Sequence, residues 1–418
     1  MSRLPALNIS DLRRRAKRRL PKGIFEFVDR GTEDDQAVRN IRRAFDRVSL
    51  RPRVLVDVSA RTPAVEVFGQ RHAMPVAVSP TGAAGLIWYE GEIALAKAAA
   101  KAGVPFTLST ASITSMEKVA EQAGGRLWFQ LYMWPDRSMS HELVRRVGAA
   151  GYEALIVTVD TAATPNREYN RRNGFALPFR FNRLNTLDIL CHPAWALGVM
   201  GRYLLASGMP RFENFPEELR RSLMGPTVPG RGLPKNDSLT WDDLKRLRDM
   251  WQGPLIVKGI LRADDAVSAA DCGADGVVVS NHGGRNLDAS VPPLQALPEV
   301  AAAVGERLTV MLDGGITRGS DVVKALALGA RMVFAGRAPL WGVASDGEAG
   351  ADEALRLLRE EIDRVMAFAG CARVADITRD MVRLDYGFFG QEPPWPGGRN
   401  PEPRQARAGL TQEAATAV

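Results

Sequence analysis

Short runs of apolar, often β-branched residues recur along the chain, and most are followed by an alanine-rich segment with helical spacing. The runs occupy residues 74–78, 105–108, 127–131, 154–159, 254–257, 276–279, 309–312 and 332–335. Runs that are apolar throughout predict strands buried on both faces, as in a parallel sheet covered by helices. Eight strand–helix units in series favour an α/β fold closed into a (β/α)₈ TIM barrel.

The spacing of these runs also predicts the organisation of the chain. The intervals are regular except for the one after the fourth run, where residues 174–239 read as a long insertion. Its apolar middle, residues 187–205, predicts either a lid or a segment lying at a membrane surface. Residues 8–70 predict helices and a short hairpin that cap one end of the barrel. We expect residues 1–385 to form one domain and the proline-rich residues 391–418 to be a disordered tail.

Composition narrows the classes of function. The 418 residues are 45% hydrophobic and carry a net charge of +7, which favours an anionic ligand or surface. No aromatic platform or zinc motif accompanies the basic residues, so a nucleic-acid partner is not expected. The three cysteines lie far apart with no CxxC motif, which predicts neither a disulfide framework nor a metal site. Without a long apolar stretch or signal sequence, we expect a cytoplasmic protein with no membrane span.

Polar or charged residues follow every predicted strand, where the active sites of barrels lie. They are residues 79–82, 109–110, 130–132, 158–160, 258–259, 280–285, 313–315 and 336–337. Segments 313–320 and 336–337 combine glycines, a helix start and arginines after the last two strands. Barrels commonly bind phosphate at this corner, so we predict a phosphate site there.

The sixth strand end carries the sharpest candidates. Two glycines separate His282 from Arg285, and the tight turn that they allow can direct both side chains inward. Histidine exchanges a proton near neutral pH, and arginine holds a carboxylate with two parallel hydrogen bonds. Asp160 is a candidate to orient His282 and stabilise its protonated form. Lys258 ends an apolar strand and therefore needs a polar or anionic partner, for which a reduced flavin is one candidate.

In this order, the residues resemble the FMN-dependent 2-hydroxy acid oxidase and dehydrogenase family, which includes glycolate oxidase, lactate dehydrogenases and mandelate dehydrogenase. The resemblance spans roughly residues 10–385. The segment 279–288, with the sequence VSNHGGRNLD, is close to the family signature. Segments 20–22, 80–82, 158–161, 257–260 and 313–315 agree as well.

The resemblance implies that FMN serves the oxidation of a lactate- or mandelate-like 2-hydroxy acid to the 2-oxo acid. His282 would be the catalytic base, assisted by Asp160. Tyr132 would lie near the substrate hydroxyl, and Arg285 and Arg167 would bind the carboxylate. The implied FMN contacts are Pro80, Thr81, Gly82, Ser109, Gln130, Thr158, Lys258 and Ser280, with Asp313, Gly314, Gly315, Arg318, Gly336 and Arg337 at the phosphate.

Four positions depart from the family pattern. Phe27 replaces a substrate-binding tyrosine, which removes one hydrogen bond worth about 1 kcal/mol. Asn286, Thr317 and Pro165 replace a glutamine, an arginine and a glycine. Because of Phe27, a bulky or peptide-derived α-substituted substrate stays open as an alternative.

The length of the insertion bears on the electron acceptor. It resembles that of membrane-associated bacterial lactate and mandelate dehydrogenases more than the shorter loop of soluble oxidases. We therefore expect electrons to pass to a quinone or another carrier, with peripheral contact at the inner face of the membrane. An oxygen-using oxidase and a barrel that only binds FMN are the alternatives. The resemblance also leads us to expect a homo-oligomer.

Overall fold

The computed structural model describes residues 5–175, 182–220 and 237–390. Its strands are β1 (Val48–Leu50), β2 (Val65–Val67), β3 (Gln70–His72), β4 (Val76–Val78), β5 (Phe106–Ser109), β6 (Leu127–Leu131), β7 (Ala154–Thr158), β8 (Leu255–Ile260), β9 (Gly276–Val279), β10 (Thr309–Asp313), β11 (Met332–Ala335) and β12 (Val382–Leu384). Strands β4 to β11 are parallel and close into a barrel in which β11 pairs with β4. The predicted eight-stranded barrel is therefore confirmed.

Helices cover the barrel and connect its strands. They are α1 (Ile9–Arg19), α2 (Lys22–Asp29), α3 (Gln36–Asp46), α4 (Gly91–Ala102), α5 (Met116–Ala123), α6 (Arg137–Ala149), α7 (Glu168–Arg172), α8 (Arg183–Leu190), α9 (Pro193–Trp195), α10 (Arg202–Ala206), α11 (Trp241–Met250), α12 (Ala263–Asp271), α13 (Pro293–Val304), α14 (Gly319–Ala327), α15 (Arg337–Ala369) and α16 (Tyr386–Phe389). Ser115 and Asp136 cap the first turns of α5 and α6 through their side-chain oxygens. Helix α4 ends at Gly103, which adopts the left-handed conformation that glycine tolerates best.

Two layers of apolar side chains explain why the strands are apolar throughout. Alternate residues of a strand point to opposite faces of a sheet. One set packs outward under the helices, for example Val257 and Val277. The other set forms a separate cluster inside the barrel, made of Ala77, Trp128, Ala154, Ile156, Ile256, Val278, Met311, Met332 and Phe334. The barrel is therefore filled and leaves room for a ligand only beyond its ends.

The N-terminal segment reaches both ends of the barrel, whereas the sequence predicted that it would cap one. Hairpin β2–β3 closes the amino end, where Val67 and Phe68 pack against the interior cluster. Helix α1 packs along α15. Helix α2 reaches the opposite end, where Phe27 and Val28 line a cavity.

The insertion follows β7, as predicted, and its described part is mostly helical. It contains α8, α9, a π-helix (Ala196–Gly201), α10 and a short 3₁₀ helix (Glu217–Leu219). Trp195 is buried, and its indole Nε1 donates to the Leu86 carbonyl at 2.7 Å. Residues 176–181 and 221–236 of the predicted insertion, and the predicted tail, lie outside the described residues.

Candidate active site

The polar residues predicted from the strand ends form one layer directly above the apolar interior. Two residues beyond an inward-facing residue, the next side chain of a strand also faces inward. Trp128 is followed in this way by Gln130, and Ile256 by Lys258. The same step gives Ser79, Ser109, Thr158, Ser280 and Asp313, all of which are buried. The folding pattern that fills the barrel therefore also assembles this layer at its carboxyl end.

A charged pair lies at the centre of this layer. The Lys258 ammonium is 2.7 Å from Asp313 Oδ2 and donates to Ser280 Oγ at 3.0 Å. Ser280 and Ser79 each donate to Asp313 at 2.9 Å. Burial alone would lower the pKa of Lys258 and raise that of Asp313, but their mutual attraction outweighs burial. The pKa of Lys258 is therefore above its ordinary value and that of Asp313 is below it.

This pair changes the predicted role of Asp313. The sequence assigned Asp313 to the phosphate site, but its carboxylate accepts from Lys258 and two serines instead. A carboxylate would also repel a phosphate. Lys258 does have the anionic partner that burial requires, and in the protein alone that partner is Asp313.

His282 lies at the edge of the cavity beside this layer. Its Nδ1 is 2.9 Å from Asp160 Oδ1, and its Nε2 is 3.5 Å from the Tyr132 hydroxyl. The backbone of His282 has a φ of 58°, in the left-handed region that costs a non-glycine residue of the order of 1 kcal/mol. The cost is consistent with a functional constraint on the direction of the imidazole.

The surroundings of Asp160 keep it ionised. Burial alone would raise the pKa of Asp160, but the charge of His282 and their hydrogen bond outweigh burial and hold it below its ordinary value. Asn286 donates to the Asp160 backbone carbonyl at 2.7 Å. Gly259 in β8, with a φ of 112°, packs so closely that a Cβ there would lie 2.7 Å from the Asp160 Cβ. Asp160 is thus fixed behind the His282 imidazole.

The hydroxyl of Tyr132 stays protonated. Burial and then Asp160 raise the pKa of Tyr132 to about 12. At any ordinary pH this side chain is therefore a neutral hydrogen-bond donor beside the His282 imidazole.

Four arginines that line the cavity have no carboxylate within ion-pair distance among the described residues: Arg167, Arg171, Arg285 and Arg337. Arg171 is exposed, whereas the other three are partly buried. Arg285 donates to the carbonyls of Phe27 and Arg30 at 2.7 and 2.8 Å. Burial, and then repulsion by Arg285, lower the pKa of Arg167 to about 9 and that of Arg337 to about 10. Buried cations that lack an anion need one from a ligand. This end of the barrel is therefore an anion site.

The cavity has a volume of about 570 Å³, within the usual range for small-molecule and cofactor sites. The predicted residues that line it are Pro80, Thr81, Gly82, Tyr132, Thr158, Arg167, Lys258, His282, Arg285, Asp313, Gly314, Gly315, Gly336 and Arg337. Ser109, Gln130, Ser280 and Asp160 are not part of this lining; Ser280 and Asp160 contact the lining residues Lys258 and His282. Phe27 and Pro165, two departures from the family pattern, also line the cavity.

Arg318 is the predicted site residue that the structure does not bring to the cavity. Its guanidinium lies 2.6 Å from Glu361 of α15. The expectation of a phosphate contact from Arg318 is therefore wrong for its side chain. The neighbouring Thr317 lines the cavity, but its hydroxyl is bonded to Asp321 and Arg42. At this corner, Arg337 is the cation that reaches the cavity.

Sequence reasoning missed three contributors and gave a fourth, Ser79, no role. Ser79 holds Asp313, and its place after the first predicted strand could have indicated this. Trp134, Phe212 and Phe215 form an aromatic wall of the cavity. Phe212 and Phe215 come from the insertion, whose sequence has no strand pattern that would place them.

The residues present fit FMN. Gln130 Nε2 is buried without an acceptor among the described residues, and carbonyl oxygens of a flavin ring would satisfy such a donor. Among the unpaired arginines, Arg337 suits the phosphate. Gly82 and Gly336 let the ligand approach the backbone, since a Cβ at either position would already lie 3.3 Å from a neighbouring side chain. No group of residues in the described part of the chain is arranged to hold a metal ion.

Known proteins are similar over nearly the whole chain. Residues 16–384 match the family model described as FMN-dependent dehydrogenase. The chain is 41% identical to (S)-mandelate dehydrogenase of Pseudomonas putida, over 90% of this chain and 93% of that protein. It is 42% identical to L-lactate dehydrogenase of Caulobacter vibrioides, over 89% of this chain and 96% of that protein. The crystal structure of the monotopic membrane protein (S)-mandelate dehydrogenase superposes with a TM-score of 0.85, at 41% identity, and covers 91% of this chain and 100% of that chain.

Proposed function

Because the chain belongs to the FMN-dependent dehydrogenase family, we propose that it oxidises a lactate- or mandelate-like 2-hydroxy acid to the 2-oxo acid. The observation that carries the proposal is the meeting of His282, backed by Asp160, with the unpaired Arg167 and Arg285 at one cavity. A base next to a pair of carboxylate-binding arginines matches a substrate whose reacting carbon is bonded to a carboxylate. When bound, FMN would supply the acceptor for the two electrons and for one of the two protons that this oxidation releases.

The chain's own residues hold the acid and take a proton. Arg167 and Arg285 bind the carboxylate, which supplies the negative charge that two close guanidinium groups lack. His282 accepts one proton at Nε2, from the hydroxyl or from C2, and Asp160 stabilises the resulting imidazolium. Tyr132 donates to the developing oxygen charge beside His282. Gln130, Lys258, Arg337 and the backbone of residues 80–82 would hold FMN.

The test uses His282→Ala with His141→Ala of α6 as a matched control. We expect His282→Ala to retain bound FMN with its yellow colour, while anaerobic bleaching by lactate or mandelate is lost. His141→Ala should bleach like the wild-type protein. Loss of FMN along with activity in His282→Ala would assign a structural role to the histidine. If the wild-type protein rejects every free 2-hydroxy acid, the proposal is wrong and the peptide-derived alternative is favoured.

For the electron acceptor, we propose a quinone or another carrier reached at a membrane surface. The support is an exposed apolar face on the insertion: Leu184, Leu187, Leu190, Leu197, Leu204 and Leu205 are 56–91% exposed. Trp195, Val199 and Tyr203, which follow one another at helical spacing, face the barrel instead. Such a two-sided segment is typical of proteins that lie on a bilayer. No helix among the described residues is both long and apolar enough to cross one.

Vesicle flotation tests this contact. Leu197→Glu/Leu204→Glu should release the protein from phospholipid vesicles, while Leu55→Glu, at an even more exposed leucine outside the insertion, should not. Equal flotation of both variants would contradict the proposal. Fast reoxidation of the reduced flavin by oxygen would favour the oxidase alternative. We also propose that the attachment is peripheral and lies at the inner face of the membrane. We further propose a homo-oligomer, which light scattering of the detergent-free Leu197→Glu/Leu204→Glu variant would test.

A further inference from the structure

The part of the insertion that reaches the cavity is a fixed wall. Asn214 is fully buried, its Oδ1 accepts from the Met116 backbone at 2.9 Å, and its Nδ2 donates to the Thr114 carbonyl at 3.1 Å. The Glu213 backbone N–H donates to the Ser112 carbonyl at 3.2 Å. These contacts bind residues 213–214 to the loop after β5. Phe212 and Phe215, on either side, are therefore held in place.

The wall is made of aromatic rings. Phe212 and Phe215 stack with centroids 4.8 Å apart and planes 17° from parallel. Phe215 meets Trp134 edge-to-face at 5.6 Å. All three side chains are buried and line the cavity. The Trp134 indole N–H has no acceptor among the described residues, so the wall offers apolar ring faces and one hydrogen-bond donor.

The wall and the reacting residues line the same cavity. Trp134 follows Tyr132 by two residues, and the Tyr132 hydroxyl is 3.5 Å from His282 Nε2. Small residues, Gly82, Ala83 and Ala111, also line the cavity and leave space for a ligand. A short substituent such as a methyl group would leave these rings without contact, and unfilled apolar volume lowers affinity.

We propose that Phe212, Phe215 and Trp134 form an aryl subsite, so that the preferred substrate is a 2-hydroxy acid with an aromatic ring on C2 or C3. The inference rests on the proposed oxidation of a 2-hydroxy acid, and it decides between short aliphatic and aryl acids. An aromatic ring pair strengthens binding by up to about tenfold beyond the effect of the area that it buries. Asn214 is a positioning residue for this subsite.

The test measures the reductive half-reaction of the FMN-loaded full chain under anaerobic conditions, so that no electron acceptor takes part. Lactate, mandelate and 3-phenyllactate are compared by the rate constant of bleaching divided by the apparent Kd. The wild-type protein should favour an aryl acid over lactate by at least about tenfold. Phe215→Leu, which keeps apolar volume but loses the ring, should reduce that preference about tenfold.

Controls separate the subsite from general damage. Phe368→Leu, at an exposed phenylalanine near the end of α15, should leave every ratio unchanged. Asn214→Ala should raise the apparent Kd of aryl acids, while the limiting rate constant of bleaching by lactate stays within about threefold of wild type. Asn214→Asp keeps the acceptor for the Met116 backbone and should restore part of the aryl binding.

Three results would overturn the inference. Equal use of lactate and aryl acids by the wild-type protein would remove the subsite while leaving the proposed function intact. The subsite would also be ruled out, with the proposed function intact, if Phe215→Leu left flavin reduction by every acid unchanged and altered only the reoxidation of the reduced flavin by a quinone. The wall would then bind the electron acceptor. If no 2-hydroxy acid bleaches the flavin, the proposed function and the inference that rests on it both fail.

Discussion

Asp160→Asn tests whether the charge of Asp160 serves the reaction. The substitution keeps an oxygen that can accept from His282 Nδ1, where the present distance is 2.9 Å, but it removes the negative charge. Two unit charges about 4 Å apart attract each other by about 4 kcal/mol at an effective dielectric constant of about 20. That attraction exists only once His282 has taken a proton. At 1.36 kcal/mol for each factor of ten, flavin reduction should slow about a thousandfold.

The assay is anaerobic stopped-flow bleaching of bound flavin by a saturating 2-hydroxy acid. Binding of the 2-oxo acid product should change little, because Arg167 and Arg285 are untouched. Asp136→Asn, which exchanges one good helix cap for another at α6, is the matched control. A reduction rate within about threefold of wild type would refute the view that Asp160 stabilises the imidazolium.

The pH dependence supplies a second check on Asp160. Its folded-state pKa lies below that of an unfolded chain. The stability that it contributes is therefore complete above the unfolded pKa and is lost as the pH falls through the folded pKa. The free energy of unfolding of wild type should therefore exceed that of Asp160→Asn near neutral pH, and this difference should shrink as the pH becomes acidic. A difference that stays constant as the pH falls through the acid range would contradict the depressed pKa.

Three further variants test the surroundings of the site. Lys258→Met should lower the free energy of unfolding by about 3–5 kcal/mol, because it leaves Asp313 buried without its cation. The double variant Lys258→Met/Asp313→Asn should recover most of this loss in urea denaturation, and no recovery would contradict the pairing. Tyr132→Phe should slow flavin reduction about tenfold without changing the shape of the pH–rate profile, because the pKa of about 12 keeps the hydroxyl protonated; loss of a limb of the profile would disagree. Phe27→Tyr should lower KM roughly fivefold in steady-state assays by adding a donor near the carboxylate, whereas an unchanged KM would show that the hydroxyl does not reach it.

The barrel could be predicted because burial on both faces leaves a direct trace in the sequence. Each of the eight predicted runs overlaps an observed strand, and most bounds agree within one or two residues. The fifth run was drawn too short, since β8 continues through Lys258 to Ile260. A lysine normally ends an apolar pattern, but the Lys258 ammonium is paired with Asp313 and the strand continues past it.

For the candidate site, the sequence predicted which residues take part better than it predicted which side chains they contact. His282 and Asp160 were paired in the prediction and lie in hydrogen-bond contact. The directions of Asp313 and Arg318 were not predictable from their motif, because Lys258 and Glu361 attract them from distant segments. The aromatic wall could not be predicted, since nothing local relates Phe212 or Phe215 to the strand ends.

Gly259 extends the constraints of the site to a residue with no side chain. Asp160 occupies the space where a Cβ of residue 259 would stand. Even alanine at this position would push the carboxylate away from His282, and the positive φ of 112° would add backbone strain. Substitution of Gly259 should therefore abolish activity, although this residue offers no functional group. Saturation mutagenesis scored by turnover would recover Gly259 among the essential residues, although it takes no part in the chemistry.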